Sequence, residues 1–217
     1  MTAVLFDMDG VVVDSERYWE SKERETILPE AVPDQDVAVD EVTGRPYKEI
    51  YTYLDENYGV AISRDRFLEL FDTVAREVYR EAALMDGFHD LCTEIRAADV
   101  PIALVTSSPH EWLNIVVDRF DLEFDAIVSA DDVPAGKPEP DIYEHAAEAV
   151  GRDPVDCIAV EDSIHGAAAA TAAGTTCIGY TGVHDSLDPD AVDAVASDPE
   201  RLRALLLGWL EDGRLSE

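Results

Sequence analysis

The sequence predicts an α/β protein: a doubly wound parallel sheet with helices on both faces, interrupted after its first strand by a block of helices. Three observations carry this. A short apolar run opens the chain and halts at a carboxylate. Residues 15–86 have only helical texture, and beyond residue 87 strand-like and helix-like segments alternate. Alternation at this spacing means βαβ units and a parallel sheet.

The elements follow in order. Residues 3–6, Ala-Val-Leu-Phe, form an unbroken apolar run, the pattern of a strand buried on both faces. Segments 18–28, 48–58 and 64–80 place apolar residues three and four apart; in the last, Phe67, Leu70, Phe71, Val74 and Val78 share one face. Asp86-Gly87 then punctuates the chain. Helix 88–98 leads to strand 101–105, helix 111–120 to strand 126–129, helix 141–150 to strand 157–160, and small-residue helix 163–173 to strand 175–179. Strand 194–196, helix 201–210 and a frayed tail at 213–217 close the chain. Residues 1–14 plus 87–217 are thus expected to form a Rossmann-like core, with 15–86 as an inserted α-helical domain. Open parallel sheets carry their sites at the carboxyl ends of the strands.

Composition narrows the partners. The 217 residues hold 48 Asp and Glu against 16 Lys and Arg, a formal charge of −32. Such a field repels nucleic-acid backbones and anionic membranes, so neither is expected as a partner. Disorder is the other reading of extreme charge, but 47% of the chain is apolar, enough for a core. Only Lys22, Lys48 and Lys137 are lysines. Many carboxylates with almost no lysine point to a halophilic protein, because molar salt shortens the Debye length to about 3 Å and screens the self-repulsion. Cys92, Cys157 and Cys177 are widely spaced and read as buried thiols, with neither a disulfide framework nor a zinc site. No signal peptide precedes the first strand and no apolar run reaches 18 residues, so a cytoplasmic protein is expected.

Four strand ends carry polar chemistry. The first strand runs into Asp7-Met-Asp-Gly10, the second ends in Thr106-Ser107-Ser108, the loop after the third holds Gly136-Lys137-Pro138, and the fourth ends in Glu161-Asp162-Ser163. In a parallel sheet these meet on one rim. Gathered carboxylates must be neutralised, and an oxygen-rich set with open positions suits Mg²⁺. Hydroxyls, helix-start amides and an ammonium are what phosphoryl oxygens require. With a spare carboxylate as nucleophile, the set reads as phosphoryl transfer through an aspartyl-phosphate.

The motifs Asp7-Met-Asp-Gly-Val-Val-Val-Asp-Ser-Glu16, Thr106-Ser-Ser, Gly136-Lys-Pro-Glu-Pro-Asp141 and Val160-Glu-Asp-Ser163, followed by Gly166 and Ala172-Ala-Gly174, resemble the haloacid dehalogenase-like (HAD) hydrolase superfamily. The branch is that of β-phosphoglucomutase and its sugar-phosphate phosphatase relatives, and the match runs in order through nearly the whole chain. The resemblance implies roles. Asp7 takes the phosphoryl group and Asp9 is the general acid and base. Mg²⁺ is held by the Asp7 carboxylate, the Asp9 backbone carbonyl and Asp162, with Glu161 reaching it directly or through water. Thr106, with the Ser107 amide, binds a phosphoryl oxygen, and Lys137 balances charge. The inserted helices correspond to a mobile cap that closes over the sheet.

Within the superfamily, Asp9 and the Glu161-Asp162 pair argue for phosphoryl transfer over dehalogenation. Trp19 stands where β-phosphoglucomutases carry a histidine and resembles the phosphatases instead, so a phosphatase for a small phosphorylated metabolite leads. A β-phosphoglucomutase-type isomerase is the alternative, and a non-catalytic binding module the remote one. Thr43-Gly-Arg-Pro46 resembles the substrate-specificity loop, where Arg45 is either a contact to a distal anion or a surface residue; Glu16 is a further candidate for substrate hydroxyls. Asp14 and Gly87 are expected at hinges, Gly10 in a tight turn, Asp131-Asp132 in a solvated loop, and His110 and His165 outside the metal shell. Monomer is the default for a capped domain.

Overall fold

The computed structural model describes residues 2–43, 45–183 and 187–212. In chain order the elements begin with β1 (Ala3–Asp7), β2 (Val13–Asp14), α1 (Glu16–Lys22), α2 (Leu28–Ala31), α3 (Tyr47–Asn57) and α4 (Arg64–Glu81). Next come β3 (Ala83–Leu84), α5 (Phe88–Ala97), β4 (Ile102–Thr106), α6 (His110–Phe120), β5 (Ala126–Ser129) and α7 (Asp141–Ala149). The chain ends with β6 (Cys157–Glu161), α8 (Ile164–Ala173), β7 (Thr176–Tyr180), β8 (Ala194–Ala196) and α9 (Pro199–Asp212). It divides into two compact units, Met1–Asp14 with Ala83–Glu217, and Ser15–Ala82. The tail expected at 213–217 lies outside the described residues, as does residue 44 of the loop around Arg45.

The first unit is the doubly wound α/β fold that the alternation predicts. Six strands form one sheet in the order β5-β4-β1-β6-β7-β8, every pair parallel. β1 is central and all five of its residues are buried, which is why its sequence is apolar without alternation. Successive side chains of a strand point to opposite faces. Ala3 and Leu5 join the cluster that includes Ile142, Tyr143, Ala146 and Ala147 of α7 and Ala167, Ala169 and Ala170 of α8. Phe6 meets the edge of Phe88 on α5, ring centroids 5.3 Å apart. Burying a side chain such as Phe6 contributes about 1.5–3 kcal/mol. From β1 the strand order runs outward both ways, so the crevice between β4 and β6 at the end of β1 is the switch point where such sheets bind ligands.

A small antiparallel ladder closes this unit. Val13 pairs with Leu84 and Asp14 with Ala83, and the Met85 amide donates to the Val12 carbonyl at 2.8 Å. The return from the helical insertion therefore falls at Ala83, four residues before the boundary drawn from the sequence. Two-residue strands have no periodicity to reveal them.

Among its described residues the second unit contains helices and no strand. Ser63 caps α4 by accepting the Arg66 amide at 3.2 Å, and Phe67, Leu70, Phe71, Val74, Ala75, Val78 and Tyr79 form its buried stripe. Trp19 stacks on Phe71 and meets the edge of Tyr79, with centroids 6.0 and 5.9 Å away. The single helix expected over 18–28 is instead α1, a π-helical turn at Glu23–Ile27, and α2. Glu23 is buried in that turn and accepts a hydrogen bond from the Thr43 hydroxyl at 2.8 Å.

Candidate active site

Parallel register brings the polar strand ends together. Asp7 ends β1, Thr106 ends β4 and Glu161 ends β6; Asp7 lies opposite Val105, and Phe6 opposite Val160. All three polar residues are buried, as are Lys137 and Asp162. Lys137 Nζ, from the loop after β5, donates to Asp7 Oδ1 at 2.5 Å and pairs with Glu161 Oε1 at 2.6 Å, so one ammonium bridges two carboxylates.

Two glycines make room for these acids. Gly10 has φ +72°, and a Cβ on it would lie 1.7 Å from Asp162 Oδ2. Its turn after β1 therefore serves close approach as well as backbone geometry. On α8, a Cβ on Gly166 would lie 2.0 Å from both Glu161 carboxylate oxygens. Ser163 caps that helix, accepting the Gly166 amide at 3.0 Å, and donates its hydroxyl to Glu161 Oε2 at 3.2 Å.

Carboxylate oxygens of Asp7, Glu161 and Asp162 gather within 4.8 Å of one another. With Lys137 they carry a formal charge of −2, which a divalent cation would bring to zero. An all-oxygen donor set of this kind fits a hard cation such as Mg²⁺. Burial pushes the Asp7 carboxyl well above the usual range, Lys137 opposes the rise, and the charges of Glu161 and Asp9 add to it. Burial alone would lower Lys137, but Asp7 and Glu161 outweigh it and hold the ammonium protonated.

Asp9 stands apart from the oxygen cluster by its side chain: Ser108 Oγ donates to its Oδ2 at 3.2 Å. Thr106 Oγ1 accepts the Ser108 amide at 3.0 Å and so shapes the loop after β4, in which Ser107 is exposed. Ser129 Oγ in turn donates to the Ser108 carbonyl at 2.7 Å. The loop expected to be merely solvated at Asp131-Asp132 has a structural part: Asp132 accepts the Ser129 amide at 2.8 Å and pairs with His110 Nε2 at 2.8 Å. His165 is exposed.

Glu16, Trp19 and Arg45 belong to the helical unit. Glu16 opens α1 and Trp19 is packed in the aromatic cluster already described. Arg45 donates Nε to the Glu41 carbonyl at 2.7 Å and lies 4.2 Å over the Tyr53 ring, while the Glu41 carboxylate accepts both Tyr53 and Tyr58 hydroxyls.

Three participants lie beyond what the sequence assigns: Ser108, which it gives only as part of Thr106-Ser107-Ser108; Gly166, which enters only with the family motif; and Tyr143, which falls inside helix 141–150 with no role of its own. The Tyr143 hydroxyl donates to Glu161 Oε1 at 2.5 Å; burial and the Glu161 charge push its own ionisation up, keeping it a neutral donor. For Gly166 a signal existed: Ser163 and Gly166 stand at the spacing of an N-cap and the amide it accepts.

A doubly wound sheet with buried carboxylates and an ammonium gathered at its switch point defines an α/β protein with a polar site at the carboxyl ends of its strands. The chain belongs to the haloacid dehalogenase-like hydrolases, whose family model matches residues 1–174, and it is a hydrolase of that family. It is 28% identical over 201 residues to a validoxylamine A 7'-phosphate phosphatase of Streptomyces hygroscopicus subsp. limoneus, covering 92% of this chain and 94% of that one. It is 30% identical over 195 residues to a phosphorylated carbohydrates phosphatase of Thermotoga maritima, covering 88% and 90%. A crystal structure of β-phosphoglucomutase from Clostridium difficile superposes with a TM-score of 0.79 over 97% of each chain; at 19% identity this likeness is one of fold. Among the described residues no helix is long and apolar enough to cross a membrane.

Proposed function

We propose that the chain is a Mg²⁺-dependent phosphatase that hydrolyses a small phosphomonoester of the sugar-phosphate class through an aspartyl-phosphate on Asp7. The observation that carries this reading is the Lys137 ammonium bridging Asp7 and Glu161 beside Asp162, a site that lacks two positive charges. Of the relatives described above, one is named a validoxylamine A 7'-phosphate phosphatase and the other a phosphorylated carbohydrates phosphatase, which supports a phosphomonoester substrate.

In the first half-reaction an Asp7 oxygen attacks phosphorus and the bond to the leaving oxygen breaks, Asp9 giving that oxygen its proton. In the second, Asp9 takes a proton from a water whose oxygen attacks phosphorus, and the P–O bond to Asp7 breaks to release inorganic phosphate. Thr106 and the Ser107 amide bind phosphoryl oxygens, and Lys137 balances charge. Asp7, Asp162, the Asp9 carbonyl and Glu161 would hold the metal, which would supply neutralising charge to the phosphoryl group. The helical unit serves as a cap that excludes water, with Glu16, Trp19 and Arg45 meeting the substrate. The acidic surface adapts the protein to molar salt.

The test is a phosphomonoester panel with Mg²⁺ in molar KCl, read by released phosphate. Turnover is expected for sugar phosphates and is expected to vanish in EDTA and in Asp7→Asn. Undiminished release in either condition would end the proposal; glucose 6-phosphate formed from β-glucose 1-phosphate without net release would mark a mutase instead.

A further inference from the structure

Glu161 is enclosed more fully than metal ligation alone requires. Its Oε1 takes two donors, Lys137 Nζ at 2.6 Å and the Tyr143 hydroxyl at 2.5 Å, while Oε2 takes one, the Ser163 hydroxyl at 3.2 Å. A carboxylate oxygen offers two lone pairs, so Oε1 is filled and Oε2 keeps one. The group has little room to turn, because it lies against the α8 backbone where a Cβ on Gly166 would come within 2.0 Å of both oxygens.

We infer that Tyr143 is a positioning residue that sets metal selectivity: by occupying Oε1 it limits Glu161 to a single oxygen at the metal. The inference rests on the proposed metal site. Mg²⁺ takes six ligands at about 2.0–2.1 Å and retains waters, so single carboxylate oxygens suit it. Ca²⁺ takes about six to eight oxygens at about 2.3–2.6 Å and commonly uses both oxygens of a carboxylate. A Glu161 confined to Oε2 denies Ca²⁺ that mode. Lys137 alone would leave one lone pair on Oε1; the phenol removes it. A tyrosine serving only to satisfy its own buried hydroxyl would have no such effect on the choice of ion.

Isothermal titration of the metal-free chain with MgCl₂ and, separately, CaCl₂ tests this without reference to turnover. The unsubstituted chain is expected to bind Mg²⁺ more tightly than Ca²⁺. Tyr143→Phe keeps the ring in the core and is expected to shift the affinity ratio toward Ca²⁺ by about tenfold, the lower end of what loss of a ligand's outer partner costs. Melting in EDTA checks that the variant folds. An unchanged ratio in Tyr143→Phe, or an equal fall in both affinities, overturns the inference while leaving the metal site standing. Tighter Ca²⁺ than Mg²⁺ binding by the unsubstituted chain overturns it without any variant. Absence of Mg²⁺ binding by that chain overturns both the metal site and the inference.

Discussion

Asp162 Oδ2 fills the volume that a side chain on Gly10 would need: a Cβ there would stand 1.7 Å from it. The turn after β1 and the acid after β6 are thus fitted to each other across the sheet's switch point.

Gly10→Ala should therefore do two kinds of damage. A left-handed φ of +72° disfavours alanine by about 1–2 kcal/mol, and the overlap must move either the turn or Asp162. If Asp162 moves, Mg²⁺ affinity at the proposed metal site is expected to fall by about 10- to 100-fold, as for other disturbed ligand shells. Calorimetric Mg²⁺ titration of the variant is the check. A loss of thermal stability with unchanged Mg²⁺ affinity would show that the turn yields and Asp162 does not depend on it.

Gly166→Ala separates helix propensity from the site. In a helix interior alanine is favoured over glycine by about 1 kcal/mol. Here the new methyl would meet Glu161, a buried carboxylate already held by Lys137, Tyr143 and Ser163. A 2.0 Å approach cannot be absorbed without displacing that group. The expected outcome is a lower Tm in EDTA and a smaller rise on adding Mg²⁺. An alanine variant that melts higher than the unsubstituted chain would mean that propensity wins.

These contacts also show where the sequence was legible. The strand β1 stood out because a strand buried on both faces has no polar residue until it reaches its end at Asp7. Lys137 stood out because lysine is so scarce in this chain. Tyr143 did not, because a tyrosine on the inward face of α7 has the same spacing whether its hydroxyl meets a carboxylate or not. Ser108 was hidden in a run of hydroxyls, and only the fold brings its Oγ to Asp9. The ladder of β2 and β3 is too short for any period, and the π-helical turn that carries Glu23 keeps a helical pattern of residues.

Glu23 makes the helical unit sensitive to pH. Burial raises its carboxyl from 4.5 to about 7, with the Thr43 hydroxyl opposing and Glu20 adding to the rise. A carboxyl raised in the folded state binds its proton more tightly there than in the unfolded chain. Its stabilising contribution is therefore complete below about pH 4.5 and is lost as pH climbs through 7. The swing is on the order of 3 kcal/mol. Glu23→Gln keeps an acceptor for Thr43 and carries no charge. It is expected to gain stability relative to the unsubstituted chain between pH 5 and 8, measured by denaturant unfolding at constant salt. Parallel pH profiles for the two proteins would refute the assignment.

The charge of −32 should govern substrate capture as well as folding. Even with a divalent cation, Asp7, Glu161, Asp162 and Lys137 reach only neutrality, and Asp9 adds a further carboxylate nearby. A phosphate dianion therefore approaches without local attraction, through a repulsive field that extends about 10 Å at 0.1 M salt and about 3 Å at 1 M. Association rates of like-charged partners rise as this field is screened. For the proposed phosphatase, kcat/KM for a sugar phosphate is expected to increase with KCl across that range, while kcat in still-folded protein changes less. Near-UV circular dichroism at each salt concentration separates capture from refolding. A kcat/KM that stays flat or falls while the spectrum is constant would show that encounter is not limited by the acidic surface.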